Sequence, residues 1–396
     1  MRILALSTWW PEPADNGSRI RIAQLLRALA CEHEVHLVAL AQESVQPEQR
    51  ARLEQVCASA HAVPQRAWTL RRRDVLASLW RPEPASVRAK WNPAFADRVR
   101  ERVAALHPEL VIAFQIDVAP YARDIADAPR VLEELEAAYL LEQSIAERHP
   151  RRRLRAWFTW IKHRAYVSNL LRDFDACTVV SKREQAHIQN LAPRDTPVIV
   201  IPNGADVAGC AGTWGDPEPD TLLYAGALSF EANRDAVAYF LSASFPRIRS
   251  QRPNARLRVT GKVDAAQRAA LPSLDGVEFT GYLPDVRPAI AQAWAEVVPL
   301  RKGGGTRLKV LEALALGTPV VSTSKGIEGL DLEHDRHVLV ADGGDDFAAA
   351  TIRLLAQPNL RARLSTAGQQ RVRECYDWRV IGQHLNSLVR DLVKVL

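Results

Sequence analysis

No stretch of the sequence approaches 18 uninterrupted apolar residues, which excludes a membrane-spanning helix of ordinary length. The start MRILALSTWWPEPADNGSR lacks the charged n-region, long apolar run and cleavage site of a signal peptide. Both absences make the cytoplasm the expected address. Cysteine is scarce. Cys31, Cys57, Cys177, Cys210 and Cys375 are odd in number and widely spaced, so neither a disulfide framework nor a CxxC metal site is implied. No internal repeat of about 20 to 50 residues and no low-complexity tract is present.

What is there is a chain of 396 residues, 47% hydrophobic and 25% charged, the composition of a globular protein. That length exceeds one ordinary core and predicts two domains. The net charge is +6, and the excess sits in residues 1–200, where 29 Lys plus Arg face 24 Asp plus Glu. An anionic partner fits this balance, whether a phosphorylated ligand, a membrane surface or nucleic acid.

The chain opens with a strand-like RILALS, a loop near Gly17, the helical pattern IRIAQLLRALACE and a second strand EVHLVAL, a βαβ unit. Further strands are read at ELVIAF, RVLEEL, DACTVV and VIVIPNG. Ser181 and Glu184 have capping-box spacing directly after DACTVV. After Asn203-Gly204 a stretch rich in Gly and Pro leads into a second alternating series, TLLYAG, ARLRVTG, VEFTGYL, AEVVPL, TPVVST and HVLVA, and an amphipathic final helix. The expected division is residues 1–204, 205–375 and a last helix at 376–396. Strands alternating with helices imply α/β domains with parallel sheets, which bind ligands at the carboxyl ends of their strands.

The segment VVPLRKGGGTRLKVLEALALGTPVVST, residues 297–323, carries the chemistry. After a strand ending at Leu300 come Gly303, Gly304 and Gly305, and a helix is expected to start near Thr306 and stop at Gly317. Glycines permit close backbone approach, and a helix start offers free N–H groups and positive potential to a phosphate. Arg301, Lys302, Arg307 and Lys309 crowd the same place, with Leu308 between the last two. Six residues into this helix Glu312 lies among apolar neighbours, a position suited to ribose hydroxyls if phosphates sit at the helix start. The alternative is a tight glycine turn with Glu312 paired to an arginine.

This segment resembles the signature of the family-four glycosyltransferases of the GT-B fold, or group 1 type. In that signature a Glu, seven residues and a second Glu precede an apolar helix end and a G-x-P-V-V strand. Glu312, Leu311, Ala313, Gly317, Pro319, Val320 and Val321 match its second half. PADNGSRIRIAQLLRALACEHEVHLVAL, VIPNGAD, LLYAGALSFEANRDAV and VEFTGYLPD resemble further pieces of the family in order. The departures define a branch: Gly304 stands at the first Glu, Ala227 at a phosphate-binding Arg, Asn233-Arg234 at Lys-Gly, and Gln115 at an active-site His.

The resemblance implies a GT-B protein, two Rossmann-like domains with parallel sheets facing across a cleft, with the last helix returning to the N-terminal domain. The implied activity is that of a retaining, metal-independent glycosyltransferase. It would move a sugar from a nucleotide-diphospho-sugar, a co-substrate, to an acceptor hydroxyl in polysaccharide, glycolipid or glycoconjugate synthesis, with no resident cofactor and no metal site. Gly17, Gly226, Asn233, Gly281, Gly304, Gly305, Thr306, Arg307, Leu308, Lys309 and Glu312 are the implied donor-binding residues, and Gln115, Arg307 and Lys309 the catalytic candidates. The basic set of the glycine loop would replace the missing phosphate-binding residues. The acceptor is a glycan, a lipid-linked molecule or a small molecule. Glu133, Glu134 and Glu136 end a strand at the ligand-facing edge, where they either orient acceptor hydroxyls or form a solvated acidic helix start. A nucleotide-sugar epimerase and a non-catalytic nucleotide-sugar binding module are the rival readings.

Residues 148–166, RHPRRRLRAWFTWIKHRAY, hold seven Lys or Arg and no acid, with Leu154, Trp157, Phe158, Ile161 and Ala165 on one helical face. Such a helix either lies on an anionic membrane surface, placing the protein peripherally on its inner face, or packs this face on the domain while its arginines are solvated. No nucleic-acid-binding module is recognised, so nucleic acid is not among the expected partners.

Overall fold

The computed structural model describes residues 1–65, 83–135, 141, 142, 145 and 149–395. The chain divides into two compact units, Met1–Pro202 with Ile381–Leu396, and Asn203–Val380.

The first unit is built on strands β1 (Arg2–Ser7), β2 (Glu34–Ala41), β3 (Ser59–Pro64), β4 (Leu110–Phe114), β5 (Arg130–Glu133), β6 (Ala176–Val179) and β7 (Val198–Val200). They form one parallel sheet in the order β3-β2-β1-β4-β5-β6-β7. Ile3 lies between Val35 and Leu110 in register. The central strands are continuous apolar runs because helices cover both faces. Helix α1 (Gly17–Ala30) starts where the Asn16 side chain accepts from the Arg19 amide at 3.1 Å. Helix α2 is Pro150–Leu170 and α3 is Lys182–Gln189, the latter capped by Ser181 Oγ accepting from the Glu184 amide at 3.2 Å.

β3 is an element the apolar-run reading misses: SAHAVP carries Ser59 and His61 and pairs beside β2 at the sheet's edge. The last helix, Trp378–Val395, packs in this unit through its later residues. Asn386 Nδ2 donates to the Ala28 carbonyl at 2.9 Å and to Glu32 Oε1 at 3.0 Å, and Arg390 pairs with Glu32.

The second unit carries β8 (Glu218–Ala225), β9 (Arg256–Thr260), β10 (Val277–Gly281), β11 (Ala293–Val298), β12 (Val320–Ser322) and β13 (Leu339–Val340). Its sheet is also parallel, ordered β10-β9-β8-β11-β12-β13. The helices that bear on the site are α4 (Glu231–Ala243) after β8 and α5 (Leu308–Ala315) after β11. From β8 the chain winds to β9 on one side, and from β11 to β12 on the other. The right-handed crossover rule therefore puts α4 and α5 on opposite faces and leaves a crevice above the β8–β11 seam.

Candidate functional site

At the carboxyl end of β8, Tyr224 is buried and its hydroxyl donates to Asn233 Oδ1 on α4 at 2.8 Å. Asn233 Nδ2 donates in turn to the Ala227 carbonyl at 2.9 Å, which fixes the amide's orientation. Lys309 enters from α5: its Nζ donates to Asn233 Oδ1 at 3.3 Å and lies 4.1 Å from the centre of the Tyr224 ring. Gly226 passes beneath. A Cβ there would lie 2.7 Å from Lys309 Nζ and 2.9 Å from Asn233 Nδ2, so a side chain at this position displaces the lysine. Three of the expected donor residues, Gly226, Asn233 and Lys309, are thus brought together by elements from both sides of the seam.

Two carboxylates frame the lysine. Glu296, on β11, has no exposed surface, and neither of its carboxylate oxygens makes a well-formed hydrogen bond. Burial pushes its carboxyl well above the ordinary range, opposed by the charge of Lys309. Glu312 keeps part of its surface open on α5. Burial of its carboxyl raises its pKa, and Lys309 opposes this rise as well. The ammonium of Lys309 is itself enclosed, and burial lowers its pKa against the pull of Glu296. An anionic ligand against this lysine would favour its charged form.

The glycine loop differs from the expectation at its end. Helix α5 starts at Leu308, with Arg307 in an extended conformation as its cap, and Thr306 lies outside it. Gly303 and Gly305 have φ of 113° and 71°, values that break the helical path. Arg307 closes the loop on itself: NH2 donates to the Gly303 carbonyl at 2.9 Å and NH1 to that of Gly305 at 2.6 Å, with the Gly304 carbonyl also in contact. Thr306 Oγ1 accepts from Asn203 Nδ2 at 2.6 Å. The later start brings Glu312 within four residues of the helix end, about 6 Å along the axis. No side chain caps the start of α5, where the Val310 amide donates to the Arg307 carbonyl at 3.0 Å, and such a helix start is suited to an anion.

The basic set of this loop divides. Arg301 forms a fork with Asp235 at 3.1 and 2.7 Å and stacks on Tyr239, while Lys302 reaches Glu231 at 2.5 Å. Both acids stand on α4 and draw these cations to the side, while Lys309 contacts Asn233 and Tyr224. Gly281 ends β10, two strands from β8, with φ of 72° and open space around its α-carbon.

In the first unit Gly17 is exposed at the first position of α1. Gln115 directly follows β4, with φ of 74°, and acts as a hub. Its Nε2 donates to Ser18 Oγ at 3.0 Å and Glu134 Oε2 at 2.9 Å, and its Oε1 accepts from Trp9 Nε1 at 3.1 Å. An amide so engaged positions neighbours and does not titrate. Glu133 requires a correction: it neither orients an acceptor nor starts a solvated helix. It is fully buried, and Arg21, equally buried, donates Nε to Glu133 Oε1 at 2.9 Å. The same guanidinium donates NH1 to the Pro202 carbonyl at 3.0 Å and NH2 to that of Ile201 at 2.8 Å. The partly exposed carboxylate at this edge is Glu134. Glu136 lies outside the described residues.

Two parallel Rossmann-like units make this an α/β protein of GT-B fold, and the second unit carries a glycine loop, an uncapped helix start and an enclosed lysine at a strand switch point. Residues 219–357, within the second unit, match the profile of the family Glycosyl transferases group 1. Among curated relatives, the chain is 28% identical over 163 residues to a GDP-mannose-dependent monoacylated alpha-(1-6)-phosphatidylinositol monomannoside mannosyltransferase of Corynebacterium glutamicum, covering 38% of this chain and 43% of that one. It is 32% identical over 127 residues to the mannosylfructose-phosphate synthase of Agrobacterium fabrum, covering 31% and 28%. Both matches span less than half of the relative. The fold matches the sucrose-phosphate synthase of Thermosynechococcus elongatus with a TM-score of 0.68 over 100% of both chains at 19% identity. It also matches Anabaena Alr3699/HepE in complex with UDP-glucose, with a TM-score of 0.67 over 99% of this chain and 100% of that one at 15% identity.

Sequence reasoning passed over Glu296 and Tyr224. A lone glutamate inside the apolar strand AEVVPL was the signal available for the first; nothing local marked the second.

Proposed function

We propose that the protein is a retaining, metal-independent glycosyltransferase that moves a sugar from a nucleotide-diphospho-sugar to an acceptor hydroxyl. The observation that carries this reading is the convergence of Gly226, Asn233, Lys309 and Glu312 above the β8–β11 seam, beside the glycine loop. The diphosphate would lie against the first-turn amides of α5 and the Lys309 ammonium, with Gly303, Gly304 and Gly305 allowing close approach. Those groups are held in place before the reaction, and they offset the charge that develops on the diphosphate as it departs. Glu312, partly open to solvent and close to Lys309, would accept from ribose hydroxyls. Gly281 and the loop after it would border the base. The departing phosphate would take the acceptor proton, so this scheme requires no side-chain base.

Gly17 and the Gln115 hub belong to the acceptor-side unit in this reading, and of the carboxylates expected to orient an acceptor, Glu134 would do so in place of the buried Glu133. The match of residues 219–357 to the family, and the complex of the structurally similar Anabaena Alr3699/HepE with UDP-glucose, support a nucleotide-sugar donor. The acceptor would be a glycan, lipid-linked or small-molecule hydroxyl in polysaccharide, glycolipid or glycoconjugate synthesis, used in the cytoplasm or at the inner face of the membrane. Calorimetric titration with UDP, GDP, ADP and their sugars tests the donor. One nucleoside diphosphate should bind, and its sugar should be turned over only when an acceptor is supplied. Failure of all of them to bind would refute the reading, while release of an epimerised donor without acceptor would replace it.

A further inference from the structure

Helix α2 has two apolar faces, and the core uses one. Trp160, Tyr166, Val167 and Leu170 are buried. Leu154, Trp157, Phe158 and Ile161 are 57%, 48%, 54% and 39% exposed, and Ala165 continues the same row in the open. At about 100° per residue these five fall within one arc of about 100°, nearly opposite the buried set. The row runs from residue 154 to 165, about 17 Å along the axis. Trp157 and Phe158 pack edge to face at 5.3 Å between ring centres, forming a single aromatic ridge.

The charges are placed symmetrically about this row. Arg151 and Arg155 lie about 70° to 110° to one side of its centre, and Arg153 and Arg164 about 70° to 90° to the other. All four are exposed, and the helix carries no acid. We propose that the outer face of α2 lies in the interface of an anionic lipid bilayer, with Leu154, Trp157, Phe158 and Ile161 inserted among the acyl chains and the flanking arginines on the headgroups. A bilayer meets both requirements at once: it accepts an apolar ridge along its plane and supplies negative charge on both sides of it. A second copy of this chain would bring like arginines together across the ridge. Among the described residues no helix is long and apolar enough to cross a membrane, so this contact is one of lying on the surface.

The inference deepens the inner-face location given above, but its test needs no donor, so failure of one leaves the other standing. The full chain is sedimented with vesicles of phosphatidylcholine alone and of phosphatidylcholine with phosphatidylglycerol, over a range of salt. Binding to the anionic vesicles should exceed binding to the neutral ones by at least about a hundredfold, since each arginine near the surface contributes roughly fivefold, and should fall with salt. A variant with Trp157→Ser, Phe158→Ser and Ile161→Ser should lose at least about tenfold at every salt concentration with an unchanged circular dichroism spectrum, because these side chains are already in water. A second variant with Arg151, Arg153, Arg155 and Arg164 changed to Ser should lose the preference for anionic vesicles. Wild-type protein left in the supernatant at low salt overturns the proposal. So does undiminished vesicle binding by the serine-faced variant, or light scattering that shows the ridge closing a dimer with no vesicle binding.

Discussion

Removing the guanidinium of Arg21 should destabilise the first unit far more than a surface substitution would. Arg21 sits on α1 and Glu133 at the end of β5, both with no exposed side-chain surface. In Arg21→Met the carboxylate of Glu133 keeps only the Thr178 hydroxyl, at 3.4 Å, and the carbonyls of Ile201 and Pro202 lose their shared donor. An uncompensated buried charge costs about 3 to 5 kcal/mol, and relaxation of the site around it favours the lower part of that range. Two carbonyls left without a donor add about 1 kcal/mol each before local relaxation. A net loss of about 4 kcal/mol corresponds to a fall of about 10 °C in melting temperature for a unit of this size. Urea unfolding followed by circular dichroism measures it. The paired variant Arg21→Met with Glu133→Leu should recover most of the loss, since no buried charge is then left alone. A melting shift under about 2 °C in Arg21→Met would refute the argument. So would a Glu133→Gln variant that folds normally and is defective only in acceptor use, because that outcome restores the acceptor role denied to Glu133.

Glu312→Ala should weaken nucleoside-diphosphate binding by about 1 to 3 kcal/mol, the range for losing a charged hydrogen-bond partner, and calorimetry on the folded variant checks it. Transferase activity should persist in excess EDTA; complete loss restored by Mn or Mg would require a metal in the scheme. Donor affinity should decline as the pH rises through about 8, where Lys309 gives up its proton, and not hold to the ordinary lysine range near 10.5. Glu296 ionises over the same interval and adds negative charge, so both titrations weaken anion binding in the same direction. Lys309→Met should bind more weakly near neutrality and lose its part of this decline, whereas an unaltered pH profile would remove the lysine from the phosphate site.

Most strands could be read directly because a parallel strand covered on both faces is a continuous apolar run, as in RILALS and TLLYAG. Their alternation with helices was sufficient for the α/β class and for two Rossmann-like units. The glycine loop and Glu312 were legible for a related reason: a helix start and the residues one turn along it are close in sequence, so their chemistry is local. β3 was not legible, since Ser59 and His61 interrupt any apolar run and its strand character comes from pairing with β2.

Tertiary structure decided how distant charges are matched. Arg21 meets Glu133 from 112 positions away, and Arg301 is claimed by Asp235 from 66 positions away. No local pattern encodes those pairings, so a carboxylate read as ligand-facing became a buried structural partner, and a cation read as phosphate-facing was turned to α4. The same limit applies to α2. Its helical wheel shows two apolar faces, but only the packing of Trp160, Val167 and Leu170 against the rest of the unit determines which face is left in water. Local sequence sets which conformations and faces are available; burial among segments far apart in the chain selects the one that is used.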